Sequence, residues 1–148
     1  QEVTAAMLTP QIERLAKIKK IHVENWNLLH SLIHHHPNIE IPMPLPQVDP
    51  FCDTMQFHLV GLSRQQSDLF IDVMKQEGIP MQIFGARRNA RDYRQWEYIK
   101  AHQDELTDTI ANIEFACDLS MQPHLTKENI RVMGQVIQDV LAYIAEQA

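Results

Sequence analysis

The chain has 148 residues, 45% of them hydrophobic, and a formal net charge of −6 at pH 7. At that length one globular domain is expected, burying roughly 70% of the surface its unfolded chain exposes. The acidic balance argues against a general nucleic-acid binder, no apolar run is long enough to span a bilayer, and the opening residues carry no signal-peptide pattern.

The first predicted element is a helix. Thr9-Pro10 fits an N-cap followed by proline at the first helical position, or equally a proline inside a longer helix beginning near Val3. Leu8, Ile12, Leu15, His22, Trp26, Leu29 and Ile33 fall on one stripe at helical spacing. Ile18, Ile21, Leu28 and Leu32 flank that stripe, which widens the apolar arc to about 200°, roughly twice what a one-sided surface helix needs. Such a helix is expected to touch two bodies: its own sheet and a second one that this chain does not contain. Gln1 stands directly inside the helical pattern, as it would in an excised or proteolysed piece of a longer protein.

Four prolines between His36 and Pro46 predict an extended connector. Gln56 to Leu62 reads as a strand. Ser63-Arg-Gln-Gln66 has the spacing of a capping box, and Leu69, Phe70, Val73 and Met74 form a short apolar helical face. Gly78 supplies the helix stop, Pro80 blocks continuation, and Met81 to Phe84 is a second strand. Asp92 to Ile99 is expected to turn into helix, and Thr107 to Ala116 is a further helical segment. Thr126 caps a last helix whose core stripe is Ile130, Met133, Ile137, Leu141 and Ile144. Strand, helix and strand followed by helices predict an α/β layer domain of α+β type, with a long N-terminal helix, a short sheet and C-terminal helices.

The densest polar cluster is Arg87, Arg88, Asn89, Arg91, Tyr93 and Arg94, closed by Trp96. Four guanidinium groups within eight residues suit phosphate or carboxylate, because each planar fork donates two parallel hydrogen bonds. The competing reading is a solvated loop whose aromatics anchor it to the core. His30 and His34 stand four apart, but consecutive histidines at 34–36 point in different directions and no acidic or Cys ligand lies near in sequence, so no metal site is expected. Cys52 and Cys117 lack metal-site spacing and read as reduced thiols, which places the protein in the cytoplasm. The six lysines sit on polar helix faces or helix starts, where a solvated ammonium keeps its proton. No catalytic residue is assigned within the chain.

Several of these segments occur in a characteristic order. Phe57-His-Leu-Val-Gly-Leu62, Glu77-Gly-Ile-Pro-Met-Gln-Ile-Phe-Gly85, Asn89 to Trp96, and Cys117-Asp-Leu-Ser-Met-Gln-Pro-His-Leu-Thr126 follow a head of Glu2-Val-Thr-Ala-Ala-Met-Leu and Gln11-Ile-Glu-Arg-Leu15. In that order they resemble the C-terminal small domain of the DegT/DnrJ/EryC1/StrS aminotransferases, fold type I enzymes that use pyridoxal phosphate (PLP). The resemblance implies a connecting helix over 1–35 and the small domain over 36–148. The large PLP-binding domain and its Schiff-base lysine would lie upstream, so no PLP is expected on this piece alone. It also implies a homodimer that moves an amino group from glutamate to a keto sugar, possibly nucleotide-linked, with the Arg87 to Arg94 loop facing substrate. Many members carry a different proline- and histidine-containing motif at that loop, which bears on the substrate class. Two readings from other classes stay open: a stand-alone module gripping an anionic ligand or RNA through Arg87 to Trp96, and a dimerisation module using the wide helix.

Overall fold

The structure, a computed structural model, describes residues 2–86, 89–98 and 106–146. One helix, α1, runs from Glu2 to Ile33 with Pro10 inside it, so the longer of the two possible helices is the one present. The chain then forms β1 (Ile39–Glu40), β2 (Thr54–Leu59), α2 (Arg64–Gln76), β3 (Met81–Ile83), α3 (Thr107–Ile113), β4 (Ala116–Ser120) and α4 (Lys127–Glu146). The four strands make one antiparallel sheet in the order β1-β2-β4-β3.

The sheet depends on a strand that the sequence pattern does not announce. β4 lies between β2 and β3, in a segment predicted to follow directly on a helix. The helix stops at Ile113, and Ala116 starts the strand instead. Asp118 and Ser120 weaken any strand propensity, yet Cys117, Leu119 and Met121 alternate with them at period two and are all buried. Asp92 to Ile99 likewise departs from expectation. Its described part forms 3-10 turns rather than an α-helix, at Tyr93–Gln95 and again at Glu97 and Tyr98, and Ile99 lies outside the described residues.

The helix that follows β2 forms as its sequence dictates. The Ser63 hydroxyl accepts from the Gln66 amide, the Gln66 side chain accepts from the Ser63 amide, and Gly78 turns the chain at φ +79°. Phe70 and Met74 are fully buried, and the Phe70 ring meets Phe57 edge-on at 6.5 Å. The whole expected stripe of α4 is buried, with Asn129 donating its amide to the Thr126 hydroxyl at the helix start.

The long helix is only half used. At 1.5 Å per residue, the 32 residues of α1 reach about 48 Å, while the 20 residues of its neighbour α4 reach about 30 Å. Leu29 and Ile33 are fully buried, and Trp26, Leu28 and Leu32 pack on the core. Met7, Leu8, Ile12 and Leu15 are exposed. The first half of the expected core stripe is therefore uncovered, and Leu28 and Leu32 belong to the domain's own packing rather than to a second body. His22 is buried as expected, but its Nδ1 has no hydrogen-bond partner among the described residues.

Side-chain bonds pin α1 to α4. Asn25 Nδ2 donates to the Leu125 carbonyl and Gln138 Nε2 to the Leu32 carbonyl, both at 3.0 Å. Gly134 sets the approach: a Cβ there would stand 2.8 Å from Leu32 Cδ1 and 3.0 Å from its Cβ. Overpacking of this kind costs about 1–3 kcal/mol, so Gly134→Val should lower the urea midpoint with an unchanged slope. Adding Leu32→Ala should recover part of the loss, whereas strictly additive losses would show that the two side chains do not collide.

Candidate functional site

The helices α1, α2 and α4 share one core with the inward side chains of the sheet, including Met55, Phe57, Leu59, Met81, Ile83, Cys117 and Leu119. The other face is polar. Gln56, Asp118 and Gln82 form one register row across β2, β4 and β3, and Gln56, Gln82 and Ser120 are exposed. The Asp118 side chain keeps only 12% of its exposure, and its Oδ1 accepts from Gln56 Nε2 at 3.4 Å.

A loop from Phe84 to Trp96 rises at the β3 edge beside this row. Its base is built without side-chain room: a Cβ on Gly85 would stand 2.9 Å from the Ile113 carbonyl oxygen, a backbone atom that cannot swing away. The Gly85 amide donates to that same oxygen at 2.8 Å. Asn89 then shapes the turn, donating from Nδ2 to the Ile83 carbonyl and accepting the Arg91 amide on Oδ1. Trp96 Nε1 closes the loop onto the Ala90 carbonyl at 2.8 Å.

The arginines divide. Arg94 faces inward and grips Asp92, whose side chain is 1% exposed, with Nε at 3.0 and 3.1 Å and Nη2 at 2.9 Å. Its Nη2 also donates to the Gly85 carbonyl, and Glu114 lies 3.6 Å from Nη1. Arg91 faces outward and is 57% exposed. It pairs through Nη1 with Asp118 and lies over the Phe84 ring, 5.5 Å from the centroid. Arg87 and Arg88 lie outside the described residues. Tyr93 is 7% exposed and belongs to the interior. Of the residues expected to face a ligand, Asn89, Tyr93 and Arg94 are thus used in building the loop, and Arg91 presents its fork over the polar row. Asp118, Gln56 and Gln82 carry no motif that marks them, because their juxtaposition exists only once β4 is placed.

A cleft of about 560 Å³ adjoins the row where Thr54 and Gln56 line it. Trp26, Met43, Phe51 and Cys52 supply its apolar wall, and Asp49 and Asp53 are among its polar residues. The histidine run follows the end of α1, with the His30 ring stacked between Trp26 at 5.0 Å and His34 at 4.7 Å. Burial, then the neighbouring His34 and His35, push the His30 pKa down. Among the described residues, no three or more His, Cys, Asp or Glu side chains are grouped to hold a metal. No helix there is long and apolar enough to cross a membrane.

A sequence profile of the DegT/DnrJ/EryC1/StrS aminotransferase family matches residues 1–138. No curated protein matches the chain. Among solved structures, the PLP form of Spr1654 from Streptococcus pneumoniae superposes with a TM-score of 0.83 at 13% identity, over 97% of this chain and 36% of that one. The Helicobacter pylori aminotransferase PseC, involved in the biosynthesis of pseudoaminic acid, gives 0.74 at 10% identity over 90% and 35%. The sugar aminotransferase CalS13 from Micromonospora echinospora gives 0.70 at 13% identity over 86% and 32%. At such identities the likeness establishes the fold, and the chain spans about a third of each structure it matches.

The Asp92–Arg94 clamp has a measurable consequence. Burial opposes ionisation of Asp92, but hydrogen bonds from the Arg94 side chain and amide outweigh it and hold the carboxyl below its ordinary value. A depressed carboxyl stabilises the fold above its unfolded pKa, about 3.9, and that contribution is lost as pH falls through the lower folded value. Asp92→Asn should cost about 1.5–3 kcal/mol at pH 7, and the deficit should shrink as pH drops below about 4. A deficit independent of pH would show that the clamp does not act through charge.

Proposed function

The chain belongs to the DegT/DnrJ/EryC1/StrS aminotransferase family, and on that footing we propose that it is the C-terminal small domain of an enzyme that transfers an amino group from glutamate to a keto sugar. The observation that carries this reading is Arg91. It is a planar, permanently charged fork, backed by an aromatic ring and aimed over a polar sheet face beside a cleft. An anionic substrate, such as a nucleotide-linked sugar, is the ligand that such a fork recognises. We assign the direct contact to Arg91, joined by Arg87 and Arg88 of the same loop, while Asn89, Tyr93 and Arg94 hold the loop in shape.

The cofactor that the family implies does not fit the described residues of this chain. PLP needs an amine able to lose its proton. Lys19 pairs with Asp49 and Lys127 with Glu24, while Lys17, Lys20 and Lys75 are exposed, and Lys100 lies outside the described residues. We therefore place the Schiff-base lysine in a large domain upstream, and we place that domain against the exposed stripe of Met7, Leu8, Ile12 and Leu15. A homodimer and a cytoplasmic location complete the proposal, the latter resting on the free thiols of Cys52 and Cys117.

Two measurements test it. In the intact enzyme, Arg91→Ala should weaken the keto-sugar half-reaction about ten- to hundredfold, the value of one desolvated charge-assisted contact, and leave the glutamate half-reaction near its original rate. Equal losses in both halves would remove Arg91 from substrate recognition. On the 148-residue chain alone, PLP followed by borohydride should label the lysines weakly and without preference. One stoichiometrically labelled lysine would contradict the placement of the cofactor upstream.

A further inference from the structure

Asp118 stands in the middle of the polar sheet face, its side chain 12% exposed and held by Arg91 and Gln56. Its row is amide, carboxylate, amide, from Gln56 on β2 through Asp118 on β4 to Gln82 on β3. Strands lie about 4.8 Å apart, so the row spans roughly 10 Å. A carboxylate offers about four lone-pair sites, and two are used here, one by Arg91 and one by Gln56. Arg91 carries five N–H donors, and Nη1 alone bonds to a described residue's side chain. The row therefore presents acceptors and donors alternately at ring-sized spacing.

We infer that Asp118, flanked by Gln56 and Gln82, reads the ring hydroxyls of the sugar while Arg91 holds its anionic end. The inference rests on the sugar-aminotransferase reading above and adds to it the residues that determine which sugar is taken. A hydroxyl is at once donor and acceptor, so a carboxylate standing beside an amide or guanidinium can satisfy neighbouring hydroxyls together. Charge sets the direction of the ligand. Asp53 of the adjoining cleft repels a phosphate, while Asp49 is paired with Lys19, so the anionic end stays at Arg91 and the uncharged ring lies toward Gln56. Gln56 is the member of the row that also lines the cleft of about 560 Å³. Asp118 also positions Arg91, since it fixes one edge of the fork and leaves the other outward.

The test is a titration of the isotopically labelled 148-residue chain, followed by nuclear magnetic resonance, with millimolar UDP-glucose, UDP-galactose and UDP alone. UDP should shift Arg91 Nε and the surrounding loop. The two UDP-hexoses should in addition shift the side-chain amides of Gln56 and Gln82, by different amounts for the two sugars. Gln82→Ala and Gln56→Ala lie at exposed positions that folding tolerates, and each should weaken the hexose-dependent part about tenfold or less. Asp118→Asn should abolish it. If UDP binds at Arg91 and the hexoses move neither glutamine, the hydroxyl-reading role is wrong and the anion-binding role of Arg91 stands. If none of the three compounds perturbs the loop or the row, the substrate reading itself fails along with the inference.

Discussion

Side chains alternate at period two along Ala116–Ser120, and this alternation sets both the core and the polar face. Cys117 and Leu119 point into the core and Asp118 points out, and a slip of one residue would bury the carboxylate and expose both apolar side chains. Because β4 pairs with β2 on one side and β3 on the other, its register also fixes which residues of both neighbours share the outer face. Burial holds the Cys117 thiol in this interior, with its pKa pushed up to about 12, so it is protonated and unreactive at neutral pH. The same strand thus supplies the core and the acid that meets Arg91.

Local signals were legible wherever one short segment carries its own physics. The Ser63 box, the Gly78 stop and the α4 stripe from Ile130 to Ile144 all follow from neighbours within a turn or two of helix. β4 was not legible in this way. Five residues holding an acid and a serine have weak intrinsic preference, and the partners that stabilise them lie about 60 residues upstream in β2 and 35 in β3. The division of labour among the arginines was hidden for a related reason. Asp92, Arg94 and Gly85 are close in sequence, but the inward direction of Arg94 is decided by the approach of Gly85 to Ile113 across the fold. The extent of α1 shows the converse limit, since its apolar stripe is continuous in sequence while the domain covers only its second half.

That uncovered half and the polar sheet face together shape the account of function. A 32-residue helix that leaves Met7, Leu8, Ile12 and Leu15 exposed in its first half gains little from propensity alone and calls for tertiary cover. The exposed Met7, Leu8, Ile12 and Leu15 are consistent with a chain that spans about a third of its structural relatives. The contribution we propose for it in such an enzyme is recognition, through the sheet row, the loop braced from inside by Asp92 and Arg94, and the outward guanidinium of Arg91.

Lysine substitution separates the roles of the two arginines, because it keeps the charge and removes the planar fork. Arg91→Lys and Arg94→Lys should be compared in thermal melting and in calorimetric binding of UDP. Arg94→Lys should lower the melting temperature, since its fork spans Asp92 and the Gly85 carbonyl, while UDP binding by the folded protein stays near the original. Arg91→Lys should leave melting nearly unchanged and weaken UDP severalfold. The reverse pattern, with Arg91 setting stability and Arg94 setting affinity, would contradict the account.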